Sequence, residues 1–218
     1  ILLAIQQFSD YSEEREAEII QNEDKLDIYD RLGSYLVQIS QHGVSMDDIR
    51  TVSRLLHAIG DFERISDHAV NILESAEELR DKKLSFSYSA KGEFETLANA
   101  LREILALSLR AFSTGDIAVA SEVEPLEQVV DELKDALRTR HIQRLQSGVC
   151  SIDAGFVLSD LLTNLERVSD HCSNIAGCVL DAEDRNLNLH ESLSVYRKSS
   201  EDFRQAFASY RSKYALQA

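Results

Sequence analysis

The chain has 218 residues, of which 23 are Lys or Arg and 38 are Asp or Glu, so its formal net charge is −15. A chain this acidic lacks the positive surface that binds nucleic acids and anionic membranes, and we expect no nucleic-acid partner. Only 8 Gly and 1 Pro are present, which disfavours hairpins, so we predict an all-α protein.

Six helices are expected in chain order. They cover about residues 12–41, 46–81, 92–113, 116–147, 152–182 and 190–215. The connections are short, so consecutive helices should pack antiparallel to one another. Gly43 and Gly148 lie where helices would need a C-cap, and Ser45 and Ser151 can cap the helices that follow.

The sequence also bears on the compartment. Cys150, Cys172 and Cys178 show neither CxxC spacing nor a framework of pairs, which is typical of a reducing compartment. No signal peptide opens the chain, and no uncharged apolar run approaches the roughly 18 to 20 residues that span a bilayer. We therefore expect the chain to be cytoplasmic.

One helical pattern occurs twice in the chain. Residues 63–74 and 166–177 are identical at seven of twelve positions, and residues 8–27 align without gaps on residues 112–131. A helix and two long helices in each copy predict two tandem three-helix bundles related by an internal repeat.

The predicted boundaries follow from the repeat. They are residues 1–88 for the first repeat, 89–189 for the second repeat and 190–218 for a C-terminal helix that packs on the bundles. The opening helix of the first repeat is mostly missing, and the C-terminal helix is the natural candidate to pack in its place.

Each repeat brings two pairs of carboxylates, one turn apart, to one flank of its apolar stripe. At about 100° per residue, the acids of each pair lie together beside the core positions of their helix. The pairs are Glu23 with Asp27 and Glu63 with Asp67 in the first repeat, and Glu127 with Asp131 and Glu166 with Asp170 in the second.

Four acids gathered at one edge repel one another, so something positive should offset them. Arg64 and Arg167 are adjacent in sequence to Glu63 and Glu166 but point about 100° further round the helix, which makes them imperfect partners. Cations that prefer oxygen ligands are the better match. The alternative is that the acids only face water, which is the usual role of a charged helical face.

The repeated motif also contains a histidine and an asparagine in each copy. His68 and His171 lie about 100° from the adjacent acids, and we interpret them as exposed or supporting residues rather than as ligands. Asn71 and Asn174 can either contact the site or bind within a side-chain network, and the pattern does not choose between these roles.

The segments "GDFERISDHAVNI" and "TNLERVSDHCSNI" each follow a helix with ExxxD spacing, and this combination resembles the PhoU family. The resemblance covers nearly the whole chain. The resemblance implies a pair of three-helix bundles. It also implies that the eight paired acids hold multinuclear iron or zinc clusters on the bundle surface, one cluster per repeat. Free-standing PhoU proteins regulate phosphate uptake negatively through a phosphate transporter and its sensor kinase.

Similar domains form the cytoplasmic C-terminal part of bacterial sodium/phosphate cotransporters. The chain opens with the apolar segment "ILLAIQQF" and no Met, and it ends in an extra helix rich in Tyr and Arg. Both features favour this second setting, with the chain tethered to the membrane through a transporter domain upstream. A homodimer stays an open alternative.

Two other functions compete with a metal-binding regulator. A carboxylate-bridged di-iron enzyme would need Glu-x-x-His on two helices, and no Glu stands three residues before any of the 6 histidines. A metal-free helical adaptor could instead bind a basic partner through its acidic face. We expect no enzymatic activity, because no Gly-rich phosphate loop, nucleophile elbow or zinc-finger spacing is present.

Overall fold

The computed structural model describes residues 1–40, 45–181 and 201–216, apart from the side chains of residues 27–31 and 40. The described residues form α1 (Leu2–Gln6), α2 (Glu13–Ser40), α3 (Met46–Asp81), α4 (Tyr88–Thr114), α5 (Ile117–Ser121), α6 (Val123–Gln146), α7 (Ile152–Leu180) and α8 (Glu201–Lys213). This part of the chain contains no strand, which confirms the all-α prediction. None of its helices is both long and apolar enough to cross a membrane.

The predicted caps set the helix ends. Ser45 and Asp48 form a capping box at the start of α3, and Ser151 accepts a hydrogen bond from a backbone N–H in the first turn of α7. Gly148 follows α6 with φ of +68°, a left-handed conformation in which a side chain is strained. Gly43 lies outside the described residues.

One predicted helix is broken into two. The helix expected over 116–147 is instead α5 and α6, with Glu122 between them. Pro125 is the third residue of α6, where its missing N–H costs nothing. A continuous helix would bring its ring against the carbonyl of Ser121, so the break protects α6 from a kink.

Each repeat packs around its own helices, and the most extensive contact between the two is that of α3 with α7. α1, α2 and α3 pack together in the first repeat, while α4, α6 and α7 form the second repeat with α5 against them. α3 packs along α7 and so links the repeats. Fully buried aliphatic side chains fill the second repeat, among them Leu97, Leu101, Ile104, Leu126, Leu161 and Leu165.

The C-terminal helix lies on the second repeat, and does not replace the missing opening helix of the first repeat as the repeat pattern predicts. α8 packs against α6, and Arg211 and Lys213 reach the carboxylates of Glu132 and Glu103 at 2.9 and 2.7 Å. The cations of α8 thus find acids on α6 and α4. The first repeat is instead closed by α1, whose Ile5 is 1% exposed.

Candidate functional site

The repeated motif lies at the contact between α3 and α7, where each copy binds the other. His68 donates from Nδ1 to Oδ1 of Asn164 at 2.8 Å, and His171 donates from Nδ1 to Oδ1 of Asp61 at 2.9 Å. The two imidazole rings stack with their centroids 5.6 Å apart. Every bond of this set crosses from one repeat to the other.

The asparagines complete the same network. Asn71 donates to Asn164 at 3.2 Å, and Asn174 donates to Asp61 at 3.2 Å. Asp61 and Asn164 occupy equivalent positions, 103 residues apart. We call these six residues the inter-repeat seam: Asp61, His68, Asn71, Asn164, His171 and Asn174. The histidines and asparagines of the motif therefore hold the repeats together, which answers the question that the sequence left open.

Burial shapes the charge of this seam. Burial lowers the pKa of His68, although the hydrogen bond to Asn164 opposes that effect. The side chain of Asp61 is only 7% exposed, and its nearest guanidinium is that of Arg64 at 3.9 Å. Arg64 is thus drawn toward the seam acid, and within the described residues it makes no ion pair with Glu63 or Asp67.

In the second repeat, a lysine lies among the predicted metal ligands. The ammonium of Lys134 is 3.0 Å from Glu166, 3.4 Å from Asp131 and 4.0 Å from Asp135. Its side chain is only 15% exposed. α6 supplies Lys134 and Asp131 while α7 supplies Glu166, so this contact also bridges two helices. We call Asp131, Lys134, Glu166 and Asp170 the second-repeat cluster.

The pKa shifts show that these charges act on one another. Burial lowers the pKa of Lys134, but the hydrogen bond to Glu166 and the charges of Asp131 and Glu166 outweigh it, so the net shift is upward. Burial raises the pKa of Asp170, and the charges of Glu166 and Asp131 raise it further. Arg167 lies 3.4 Å from Asp170 and opposes this rise.

The remaining predicted ligand of the second repeat lies deeper. Glu127 is one turn before Asp131 on α6 and is 6% exposed. The nearby Glu124 is more deeply buried still, and it accepts a hydrogen bond from Ser173 of α7. Acids therefore line the contact between α6 and α7 beyond the predicted pairs.

The first repeat treats its acids differently. Glu63 is partly buried and Asp67 is exposed, one turn apart on α3. Neither makes a hydrogen bond or an ion pair with another side chain in the described part of the chain. Glu23 is partly buried on α2 and interacts with another residue of the chain. The side chain of Asp27 lies outside the described residues.

The side chains available as metal ligands decide how well a metal ion would fit each repeat. Among the described residues, no three His, Cys, Asp or Glu side chains come close enough to hold a metal ion together. In the second repeat a cation is already built in, so a multinuclear cluster does not fit that donor set. In the first repeat, Glu63 and Asp67 are open donors whose oxygen chemistry fits a divalent cation.

Sequence reasoning missed Lys134 and Asp61. Lys134 precedes Glu166 by 32 residues, so their contact becomes visible only once the register of the α6–α7 hairpin is known. A signal did exist, because Lys134 is three residues after Asp131 and so lies on the same face of α6. For Asp61, the signal was a polar residue at a position that the apolar period of α3 assigns near the core.

A model of the PhoU domain family matches residues 1–76 and 94–179. The chain is 24% identical over 201 residues to a phosphate-specific transport system accessory protein PhoU homolog of Thermotoga maritima, covering 91% of this chain and 85% of that protein. It is 25% identical over 138 residues to the homolog of Deinococcus radiodurans, covering 63% of each chain.

Two solved structures share the fold. The crystal structure of PhoU from Pseudomonas aeruginosa has a TM-score of 0.78 at 20% identity, covering 84% of this chain and 88% of that one. The regulatory protein PhoU from Streptococcus pneumoniae has a TM-score of 0.72 at 19% identity, covering 85% and 87%. With the family model matching both repeats, the chain belongs to the PhoU family.

Proposed function

We propose that this chain is a regulator of phosphate transport that has no enzymatic activity of its own. The observation that supports it is the family match across both repeats, together with relatives named as accessory proteins of phosphate-specific transport systems. The inter-repeat seam agrees with a regulatory role, because it makes one body of two bundles and so can couple a change in either repeat to the other.

Within this role we propose that the first repeat binds a divalent cation, iron or zinc, through Glu63 and Asp67. Both carboxylates lack an ion pair with any other described side chain, and two acids one turn apart repel unless a cation lies between them. Two carboxylates do not complete a coordination sphere. Glu23 and Asp27 of α2, with water, are the further ligands that we propose.

The proposed partner is the membrane domain of a phosphate transporter, in the same polypeptide or in another, or else its sensor kinase. In the finer form of the proposal, the chain is the cytoplasmic domain of a sodium-dependent phosphate cotransporter. The upstream coding sequence tests this form: an apolar transporter in the same frame supports it, and an unrelated upstream gene contradicts it.

The regulatory role is tested by complementation. The host is a bacterium that lacks its own PhoU-family regulator and in which a phosphate-starvation reporter stays on in rich phosphate. Expression of this chain, joined to any transporter domain of its own gene, should restore repression. Equal reporter activity with and without the chain, at matched expression, would contradict the proposal.

The metal site is tested by elemental analysis after anaerobic reconstitution. The wild-type protein should contain iron or zinc, and the double variant Glu63→Gln with Asp67→Asn should lose it. Glu74→Gln is the matched control, since Glu74 is an exposed acid on the same helix. A wild-type protein without metal would instead favour the metal-free acidic adaptor, and oxygen consumption by the iron-loaded protein would revive the di-iron enzyme.

A further inference from the structure

The second-repeat cluster already contains the cation that its acids need. The Lys134 ammonium contacts carboxylates of two helices, at 3.0 Å on α7 and 3.4 Å on α6. At 15% side-chain exposure it is shielded from water on most sides. Water screens such a partly buried pair less than it screens an exposed one, so the contact is stronger than a surface salt bridge.

The first repeat has the opposite charge at the equivalent position. Asp131 aligns with Asp27 at an offset of 104 residues, which places Asp30 where the second repeat has Lys134. The next position reverses as well, since Arg31 aligns with Asp135. The side chains of Asp30 and Arg31 lie outside the described residues, so this difference rests on the sequence alone.

A metal ion and Lys134 compete for the same oxygen atoms. A divalent cation near Glu166 and Asp131 would lie within a few ångströms of the ammonium, and like charges at that distance repel strongly in a partly buried site. Arg167, at 3.4 Å from Asp170, adds a second positive charge at the edge of the cluster. Metal binding would therefore require Lys134 to leave a site in which it is well bonded.

We propose that Lys134 is a built-in counter-ion that takes the place of a metal ion in the second repeat, so that divalent metals bind at the first repeat alone. The contact between α6 and α7 is then independent of metal supply, while the α2–α3 pair responds to it. This inference deepens the proposed function and rests on it only for the site in the first repeat.

The test is equilibrium binding of Mn²⁺, an oxygen-preferring probe that is counted in its free form by electron paramagnetic resonance. Lys134→Gln should gain one bound Mn²⁺ per chain, or bind it at least tenfold tighter than the wild type. Lys134→Arg, which keeps the charge, should not. Lys82→Gln is the matched control: it changes the net charge equally and breaks an exposed Lys–Glu pair at 2.6 Å.

Adding Asp170→Asn to Lys134→Gln should remove the gained ion, whereas adding Asp67→Asn should leave that ion in place. Unchanged Mn²⁺ binding in a Lys134→Gln protein with a native circular-dichroism spectrum would overturn the inference. So would a wild-type protein that loses one Mn²⁺ on Asp170→Asn alone, a measurement that does not depend on the folding of any Lys134 variant.

Different variants test the metal site of the first repeat and the role of Lys134 in the second repeat. If Asp67→Asn leaves wild-type Mn²⁺ binding unchanged, the proposed site of the first repeat is wrong. The result for Lys134→Gln still decides whether Lys134 excludes metal from the second repeat.

Discussion

The two repeats carry matching acids but surround them with different charges. In the second repeat, Lys134 bonds Glu166 and Asp131, and Arg167 lies beside Asp170. In the first repeat, Arg64 is drawn to Asp61, so Glu63 and Asp67 make no ion pair within the described part of the chain. Duplication of a motif therefore preserved its geometry without preserving its electrostatics.

A second position, besides that of Lys134, contributes to this divergence. Where the first repeat has Asp61, the second has Asn164, and both accept hydrogen bonds from the opposite repeat's histidine and asparagine. An amide does not attract a guanidinium as a carboxylate does, which leaves Arg167 to its own repeat's Asp170. The residue at this seam position, Asp61 or Asn164, thus affects whether the neighbouring arginine is available to the acid pair of its repeat.

The largest expected effect comes from removing the acceptor on the first-repeat side of the seam. Asp61→Ala leaves the N–H groups of His171 and Asn174 without acceptors in a mostly buried place, and it should lower the free energy of unfolding by about 3 kcal/mol. Asn164→Ala, in a more open place and with no charge involved, should cost about 1–2 kcal/mol. Urea unfolding monitored by circular dichroism measures both.

Asp61→Asn provides the control for that comparison. It keeps the Oδ1 acceptor and makes the seam symmetrical, so its cost should stay within about 1 kcal/mol. A loss as large as that of Asp61→Ala would mean that the charge, and not the acceptor, is what the seam needs. Equal losses for Asp61→Ala and Asn164→Ala would contradict the asymmetry itself.

How far these differences were visible in the sequence depends on distance along the chain. Helix ends are predictable because a capping residue affects only the backbone a few positions away, as Ser45, Ser151 and Gly148 do. The break before α6 could also have been anticipated from Pro125, whose constraint is local.

The seam could not be predicted in the same way. Periodicity places His68 on a face of α3, but it says nothing about what lies across from that face, and Asn164 is 96 residues away. The position of Lys134 likewise depends on the hairpin register. The packing of the C-terminal helix on the second repeat is not visible in the sequence for the same reason, since its partners Glu103 and Glu132 are distant along the chain.

A smaller effect should separate the glutamates at equivalent positions. Glu166→Gln removes the charged partner of Lys134, whose pair is 15% and 19% exposed, and should cost about 1 kcal/mol in metal-free buffer. Glu63→Gln removes a carboxylate with no ion pair and relieves its repulsion with Asp67, so stability should change by at most about 0.5 kcal/mol, upward if at all. Thermal unfolding in the presence of a chelator compares the two.

The result for Glu63→Gln should depend on metal, which sharpens the comparison further. With Mn²⁺ present, the wild-type protein should gain stability from binding, and Glu63→Gln should lose most of that gain. Glu166→Gln should keep it. A metal-dependent gain that Glu166→Gln abolishes and Glu63→Gln preserves would reverse the roles assigned to the repeats.

A separate comparison of packing uses glycines within the long helices of the seam. Gly60 of α3 has open space around its Cα, and the equivalent position on α7 already holds Thr163. Gly60→Ala should therefore stabilise the protein by about 0.5–1 kcal/mol, because alanine loses less backbone entropy in a helix. Gly155 of α7 differs, since an added Cβ would lie 2.7 Å from Nε2 of the buried His141.

Gly155→Ala must displace the His141 ring, and it should cost about 1–2 kcal/mol in spite of the gain in helix propensity. Thermal unfolding of both variants at one pH tests the pair. Changes in stability of opposite sign for the two variants would show that the helix hairpin of the second repeat is the more tightly packed. A stabilising Gly155→Ala would instead mean that the His141 ring moves freely, and that the two hairpins differ in charge but not in packing.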